Sequence, residues 1–432
     1  MNKHTDPRSP WTWIPTLYLA EGLPYVAVVT VSLILYTKLG LSNAEIAFYT
    51  SWIYLPWVIK PFWSPFVDLL KTKRWWTTTM QLLIGAGLAG VALSLHAPDY
   101  VRWSLACFWL VAFSSATHDI AADGFYMLAL TPREQAFYVG IRSTFYRAAT
   151  IFGQGVLVML AGWLEQRTSV KLAWSIVFYI FGGLLVAFYL YHSFILPRPA
   201  DDKPAAAHLT AANLMNEFFK TFASFFRKKH IGIALLFMLL YRLPEAQLLK
   251  LIPPFLLNPA SQGGLALSTT EVGLVYGTIG VIGLLLGGII GGICAARGGL
   301  ERWLWPMAWS LSLTCAVFVY LSYFPTQNLW LINGCVFVEQ LGYGFGFTAY
   351  MLYLIRFSEG TYQTAHYALC TGFMAAGMML PGLAAGWLQE QMGYRLFFLW
   401  VMLCCLATIG VTALVTRQLK TLKTPDDNES TN

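Results

Sequence analysis

The chain has 432 residues, of which 57% are hydrophobic and only 11% are charged, whereas an ordinary soluble domain is about 25% charged. That balance excludes a soluble enzyme. The formal charge of +7 reflects basic residues biased to one side of a membrane, as set out below. It is not the basic patch of a nucleic-acid-binding protein, so no nucleic-acid partner is expected. The seven cysteines lie in apolar segments without Cys-x-x-Cys spacing; they read as small packing residues, with no metal or other cofactor implied.

Apolar stretches near twenty residues recur along the chain, each long enough to cross a hydrocarbon core about 30 Å thick. In lipid every backbone polar group must be bonded within the spanning structure, and the period-two alternation of a barrel is missing, so the spans are helices. Twelve are predicted, at residues 11–36, 44–69, 75–96, 102–130, 136–164, 172–196, 231–257, 270–296, 303–323, 329–356, 364–389 and 395–416. The stretch before the first is polar, and no small-residue cleavage site follows that span, so no cleavable signal peptide is expected. Of the 28 Lys and Arg residues, with Arg102, Arg356 and Arg395 at span ends counted with the adjoining loops, 18 fall on the side of the N-terminus, five on the opposite side and five within spans. The positive-inside rule then places both termini in the cytoplasm.

Ionisable residues inside these spans are the candidates for function, because an acid at the centre of a membrane helix costs roughly 3 kcal/mol on insertion scales. Span 1 carries Glu21, span 2 Lys60, span 4 Asp119 and Asp123, span 5 Arg147, span 7 Arg242 and Glu245, and span 10 Glu339. At 1.5 Å per residue, Glu21, Asp119, Arg147, Arg242 and Glu339 each lie about 15–17 Å from a span end, near the bilayer midplane. Transporters built from repeats hold their sites at that depth. Buried ion pairs that only hold a bundle together are the alternative role.

Span 4 reads Ser114-Ser-Ala-Thr-His-Asp-Ile-Ala-Ala-Asp-Gly-Phe-Tyr-Met127. Asp119 and Asp123 are four residues apart and share a helix face, while His118 points about 100° away from Asp119. Two acids on one buried face raise each other's affinity for a proton, as a proton carrier requires. Asp119, the deeper, is the first candidate; Asp123 serves equally well as a structural partner for a basic residue. The same letters give His118-x4-Asp123, the spacing of glycerolipid acyltransferases. On a continuous helix about 140° separates those two side chains, so they cannot easily meet, and no nucleophile elbow, phosphate loop or metal-ligand cluster occurs elsewhere. Arg147 and Arg242 offer forked donors to an anionic group. Tyr25, Tyr146 and Tyr343 are candidates for stacking on a sugar ring. His118 and Lys60 complete the polar set.

The longest polar interval separates six spans from six. Its second part, Asn213-Leu-Met-Asn-Glu-Phe-Phe-Lys-Thr-Phe-Ala-Ser-Phe-Phe-Arg-Lys-Lys-His230, places Leu214, Phe218, Phe222 and Phe225 at helical spacing; a helix on the anionic leaflet and a solvated linker helix both fit. The expected organisation is a six-helix bundle over 1–196, a linker over 197–230, a second bundle over 231–416 and a cytoplasmic tail over 417–432. The two bundles echo each other. Ala161-Gly-Trp-Leu164 in span 5 returns as Ala385-Gly-Trp-Leu388 in span 11, and the loop Ser64–Arg74 after span 2 has a counterpart in Gly292–Arg302 after span 8.

Twelve spans in two similar halves with a basic loop after span 2 resemble the major facilitator superfamily. The loop after span 2 departs from the family pattern at Ser64, where the family has Gly, and its second copy after span 8 departs at Ala296, where an Asp would sit. A narrower resemblance rests on Glu21-Gly-Leu-Pro-Tyr25, Lys60-Pro-Phe-Trp-Ser-Pro-Phe-Val-Asp68, His118-Asp-Ile-Ala-Ala-Asp123, Phe145-Tyr-Arg147, Tyr241-Arg-Leu-Pro-Glu245 and Phe337-Val-Glu-Gln-Leu-Gly-Tyr-Gly-Phe-Gly346. These are similar to the AmpG-type muropeptide permeases, except that those have a small polar residue at Glu21 and Gln at His118. The resemblance implies an all-α integral membrane protein with twelve transmembrane helices in two pseudo-symmetric six-helix bundles, spans 1, 4, 7 and 10 lining a central cavity. It implies an inner-membrane secondary transporter and not an enzyme, a monomer in the lipid bilayer, coupling protons to uptake of a small anionic solute such as an anhydro-muropeptide; siderophores, sugar acids and acyl-CoA remain open as substrates. A non-transporting receptor and a membrane acyltransferase using the His118-x4-Asp123 spacing are the rival classes. Under this resemblance Asp119, Asp123, Glu21 and Glu339 are the proton-coupling candidates. Arg147, Arg242, Glu245, Lys60, His118 and Tyr146 are the substrate-binding candidates. Asp68, Lys71, Lys73, Arg74 and Arg297 belong to the gating loops.

Overall fold

The computed structural model describes residues 9–203, 211–360 and 362–421, and among them every regular element is helical. Helix α1 runs Pro10–Lys38. Helix α2 is built from Asn43–Trp52 and Leu55–Leu70. Next come α3 (Lys73–Ser94), α4 (Tyr100–Ala129), α5 (Pro132–Thr150, continued by Ile151–Val156 and Leu157–Glu165) and α6 (Val170–Ile195). A linker helix, Ala211–Phe226, precedes α7, which is made of Ile231–Leu240 and Leu243–Leu257. The remaining helices are α8 (269–298), α9 (300–323), α10 (Leu329–Ser358), α11 (363–392) and α12 (394–421).

Eight helical stretches among the described residues are long and apolar enough to cross a membrane. Two of these, Thr269–Tyr323 and Ala365–Leu419, are 55 residues long and each holds two predicted spans. They turn back at Gly299 and Gly393, whose φ values of 69° and 72° lie in the left-handed region that favours glycine. The loops expected between spans 8 and 9 and between 11 and 12 are thus reduced to little more than one residue. Helices α2 and α10 supply the other two spans. Outward side chains such as Phe194, Trp330 and Leu406 are largely exposed, as befits a surface covered by lipid.

The described chain divides into two compact units. The first comprises Met1–Ser42, Trp52–Phe218 and Leu267–Thr278; the second comprises Asn43–Ser51, Phe219–Ala266 and Ile279–Asn432. Within the first, Trp13 and Tyr18 of α1 meet Phe125 and Tyr126 of α4 edge-on at 5.4 and 6.0 Å. Within the second, Phe237 and Tyr241 of α7 stack on Tyr350 of α10 at 5.7 and 5.6 Å. Here α7 is interrupted at Tyr241–Arg242, and an interrupted helix in lipid needs substitute donors for its freed carbonyls. The Tyr350 hydroxyl donates to Met238 O at 2.7 Å and the Thr408 hydroxyl to Tyr241 O at 2.9 Å.

The repeated Ala-Gly-Trp-Leu has a structural reason in both units. A Cβ at Gly162 would collide with the backbone of Thr269 and Thr270, and one at Gly386 with the carbonyl of Asn43. Each glycine thus lets the first turn of another helix, α8 or α2, press against it. The residue after the repeat then grips that turn. Glu165 accepts the Thr269 hydroxyl at 2.7 Å, the Trp174 N–H at 2.7 Å and the Lys38 ammonium at 3.3 Å. Gln389 accepts the Asn43 amide at 2.6 Å, and Asn43 and Asn258 both donate to the Tyr394 hydroxyl at 2.9 Å.

The linker helix forms, but its C-terminal end docks on protein. Phe225 is fully buried and stacks on Phe373 at 6.0 Å, and Ser224 bonds His366 at 2.9 Å. The Leu214 and Phe218 side chains lie outside the described residues.

Candidate functional site

In the first unit, Glu21 of α1 is 8% exposed, and its Oε2 has no hydrogen-bond partner among the described residues. The charges acting on it are those of Asp123, Asp119, Arg142 and Lys60. Asp119 accepts the Trp57 indole N–H through Oδ2 at 3.1 Å, with Lys60 and Asp123 acting on it. One turn along α4, Asp123 forms an ion pair with Arg142 at 2.9 Å and lies 3.4 Å from the Tyr18 hydroxyl that donates to it. The Arg142 guanidinium covers the rings of Tyr18 and Tyr126 at 4.6 and 5.1 Å. Asp123 therefore has the basic partner that one of its two sequence readings expects.

Beside these charges is an aromatic wall. Tyr25 stands edge-on to Trp57 at 5.4 Å and to Tyr54 at 6.4 Å. Tyr146 is acted on by Tyr25, Asp119, Glu21 and Arg147, which puts it in the same group. Arg147 is half-buried and forms no ion pair, hydrogen bond or ring contact among the described residues, leaving its forked donors available.

His118 does not join this group. It is fully buried on another face of α4, where Gln81 Nε2 donates to its Nε2 at 3.0 Å. Gln81 Oε1 in turn accepts from His192 Nδ1 at 3.0 Å, and His192 Nε2 meets the Thr16 hydroxyl at 2.9 Å. These bonds tie α1, α3, α4 and α6 together and hold His118 in a polar packing network, apart from Asp119.

In the second unit, Arg242 is the N-cap of the second segment of α7, at the interruption and not inside a continuous helix. Its guanidinium donates to the Tyr343 hydroxyl and lies over the rings of Phe347 at 4.8 Å and Tyr350 at 6.0 Å. Glu245, three residues on, and Glu339 of α10 are buried with 0% and 1% exposure. Their carboxyls are within hydrogen-bonding reach of each other, and Glu339 also accepts the Gln340 amide at 2.9 Å. Further along α7, buried Lys250 donates to the Thr50 hydroxyl at 3.0 Å.

The loop residues are held in ways the sequence did not show. Asp202 accepts the backbone N–H groups of Lys73 and Arg74 at 2.7 and 3.0 Å, capping the first turn of α3. Arg74 donates to the carbonyls of Ser193 and Leu196 at the end of α6, an arrangement that complements the negative end of a helix. The Lys73 side chain lies against Gly124 of α4, and Lys71 over the Trp75 ring at 5.9 Å. Arg297 is exposed. The Asp68 side chain lies outside the described residues.

A family profile described as Major Facilitator Superfamily matches residues 17–366. The chain belongs to the major facilitator superfamily. It is therefore a multi-pass membrane transporter of a small solute and not an enzyme. Among its relatives, the Escherichia coli anhydromuropeptide permease is 26% identical over 377 residues, covering 86% of this chain and 72% of that protein. A Rickettsia conorii protein that carries the name AmpG 4 is 23% identical over 408 residues, covering 91% and 94%. Among solved structures, the nucleoside transporter NupG superposes with a TM-score of 0.68 at 14% identity, over 92% of this chain and 98% of that one. A D-xylose-proton symporter superposes with a TM-score of 0.69 at 12% identity, over 93% and 95%. These two share the twelve-helix fold of the superfamily.

Sequence reasoning missed Arg142, Trp57 and Lys250 within this superfamily member. Arg142 carried a usable signal, since it lies five residues before Arg147 on the same helix. Trp57 was one of 17 tryptophans with nothing in its neighbours to mark it.

Proposed function

We propose that the protein is a proton-coupled importer of an anhydromuropeptide-like anion in a bacterial inner membrane. It works by alternating access as a monomer, with both termini in the cytoplasm. The relative of that name supports the substrate class, and the half-buried guanidinium of Arg147 beside Tyr146, without an ion-pair or hydrogen-bond partner among the described residues, is the observation that carries it. A muropeptide presents sugar rings and carboxylates. The rings match an aromatic wall of Tyr25, Tyr54 and Trp57, and a carboxylate matches a guanidinium fork.

Asp119 is the coupling acid in this reading, with Glu21 as its neighbour. Both lie midway along their helices among other acids, at the depth where transporters built from repeats place their coupling-ion sites. Substrate and proton enter from outside together, and release to the cytoplasm resets the empty carrier. Purified protein in proteoliposomes should accumulate labelled anhydromuropeptide when the exterior is acidic and only equilibrate it without a pH gradient. Uptake indifferent to that gradient would remove the proton from the mechanism; binding without uptake would return the receptor reading.

A further inference from the structure

We propose that Glu245 and Glu339 form a second proton-binding site, a carboxyl pair that shares one proton between α7 and α10. Both side chains are fully buried and within hydrogen-bonding reach of each other. Neither oxygen of Glu245 receives an N–H or O–H from any described residue. Two ionised carboxylates so placed would repel each other with their lone pairs unsatisfied. One proton between them supplies the missing donor and removes the repulsion.

Charge balance points the same way. Among the described residues, the groups facing the pair are Arg242 on α7, Gln340 on α10, Cys315 on α9 and Cys405 on α12. Arg242 is the one cation among them, so a pair holding one proton and one negative charge is neutral with it. The negative charge belongs on Glu245, which occupies the first turn of the second α7 segment, where helix N–H groups favour an anion. The proton then lies towards Glu339.

The site adjoins the interruption of α7 at Tyr241–Arg242. Loss of the proton to water leaves two negative charges across the α7–α10 contact, and repulsion acts where α7 is already broken. Protonation therefore sets the α7–α10 packing, independently of the role proposed for Asp119. Glu245 is accordingly assigned to proton binding and not to direct substrate contact.

Infrared difference spectroscopy of the purified protein at neutral pH reads this without a transport assay. Wild type minus Glu245→Gln and wild type minus Glu339→Gln should each show the loss of one protonated carboxyl, because either amide supplies a donor and leaves its partner ionised. Loss of an ionised carboxylate instead, or of two protonated groups, would overturn the shared proton. Wild-type protein labelled with carbon-13 glutamate must show a protonated glutamic acid, so its absence overturns the proposal even if neither variant folds. Melting in sodium chloride and in choline chloride should agree; stabilisation by sodium that vanishes in Glu245→Gln would make this a cation site.

Discussion

At the scale of single residues, a charge in the membrane is explained by what it touches. Asp119 accepts one N–H, from Trp57, and Asn at this position keeps an acceptor for it while mimicking the protonated acid. Asp119→Asn should retain substrate counterflow in proteoliposomes and lose accumulation driven by an acidic exterior. Accumulation that persists would move the coupling proton to Glu21 or to the α7–α10 pair. Arg147→Lys keeps the charge but loses the planar fork, and should weaken apparent affinity about tenfold, equivalent to about 1.4 kcal/mol, with normal abundance in the membrane. Unchanged half-saturation would separate Arg147 from the substrate. The intramembrane charges were legible in the sequence because each is costly in lipid. Their partners were not: Asp123 finds Arg142 across a helix contact, and no spacing along one helix encodes that meeting. Helical geometry did set His118 apart from Asp119, but it could not supply Gln81 and His192, which lie on α3 and α6.

At the scale of elements, local chemistry decides where helices bend and what they accept. The spans were legible because lipid demands long apolar helices, whereas the tight turns at Gly299 and Gly393 look from the sequence like ordinary short loops. The interruption at Arg242 was also hidden, since Pro244 fits the first turn of a new segment as well as it fits a kink in a continuous helix. Asp202 caps α3 from far along the chain. Asp202→Ala should lower stability by about 1–2 kcal/mol, as removal of a helix cap does, and thermal melting in detergent would measure it; an unchanged midpoint would mean that water replaces the carboxylate at no cost. Gly162→Val and Gly386→Val should each cost about 1–3 kcal/mol through overpacking. Valine at Gly183, where an added Cβ meets nothing within 4 Å, should leave the midpoint near that of the wild type. Equal melting of all three would show that the close approaches carry no strain.

For the whole molecule, the boundaries of the two units do not follow the order of the sequence. Asn43–Ser51 belongs with residues of the second half, and Leu267–Thr278 with residues of the first. A reading of the chain as one bundle after another could not show this, because hydropathy marks where helices lie and not which neighbours they choose. The consequence reaches biosynthesis. A ribosome that has finished the first half of the chain has made a unit that still lacks Leu267–Thr278, so Gly162 and Glu165 wait without the turn they grip until α8 emerges. The nascent first half is therefore exposed to membrane proteases and holding factors for the time needed to synthesise residues 219–278. Expressed alone, residues 1–218 should turn over quickly; co-expression with residues 219–432 should protect them. A first half that is long-lived by itself would mean that its own helices are enough to keep it intact.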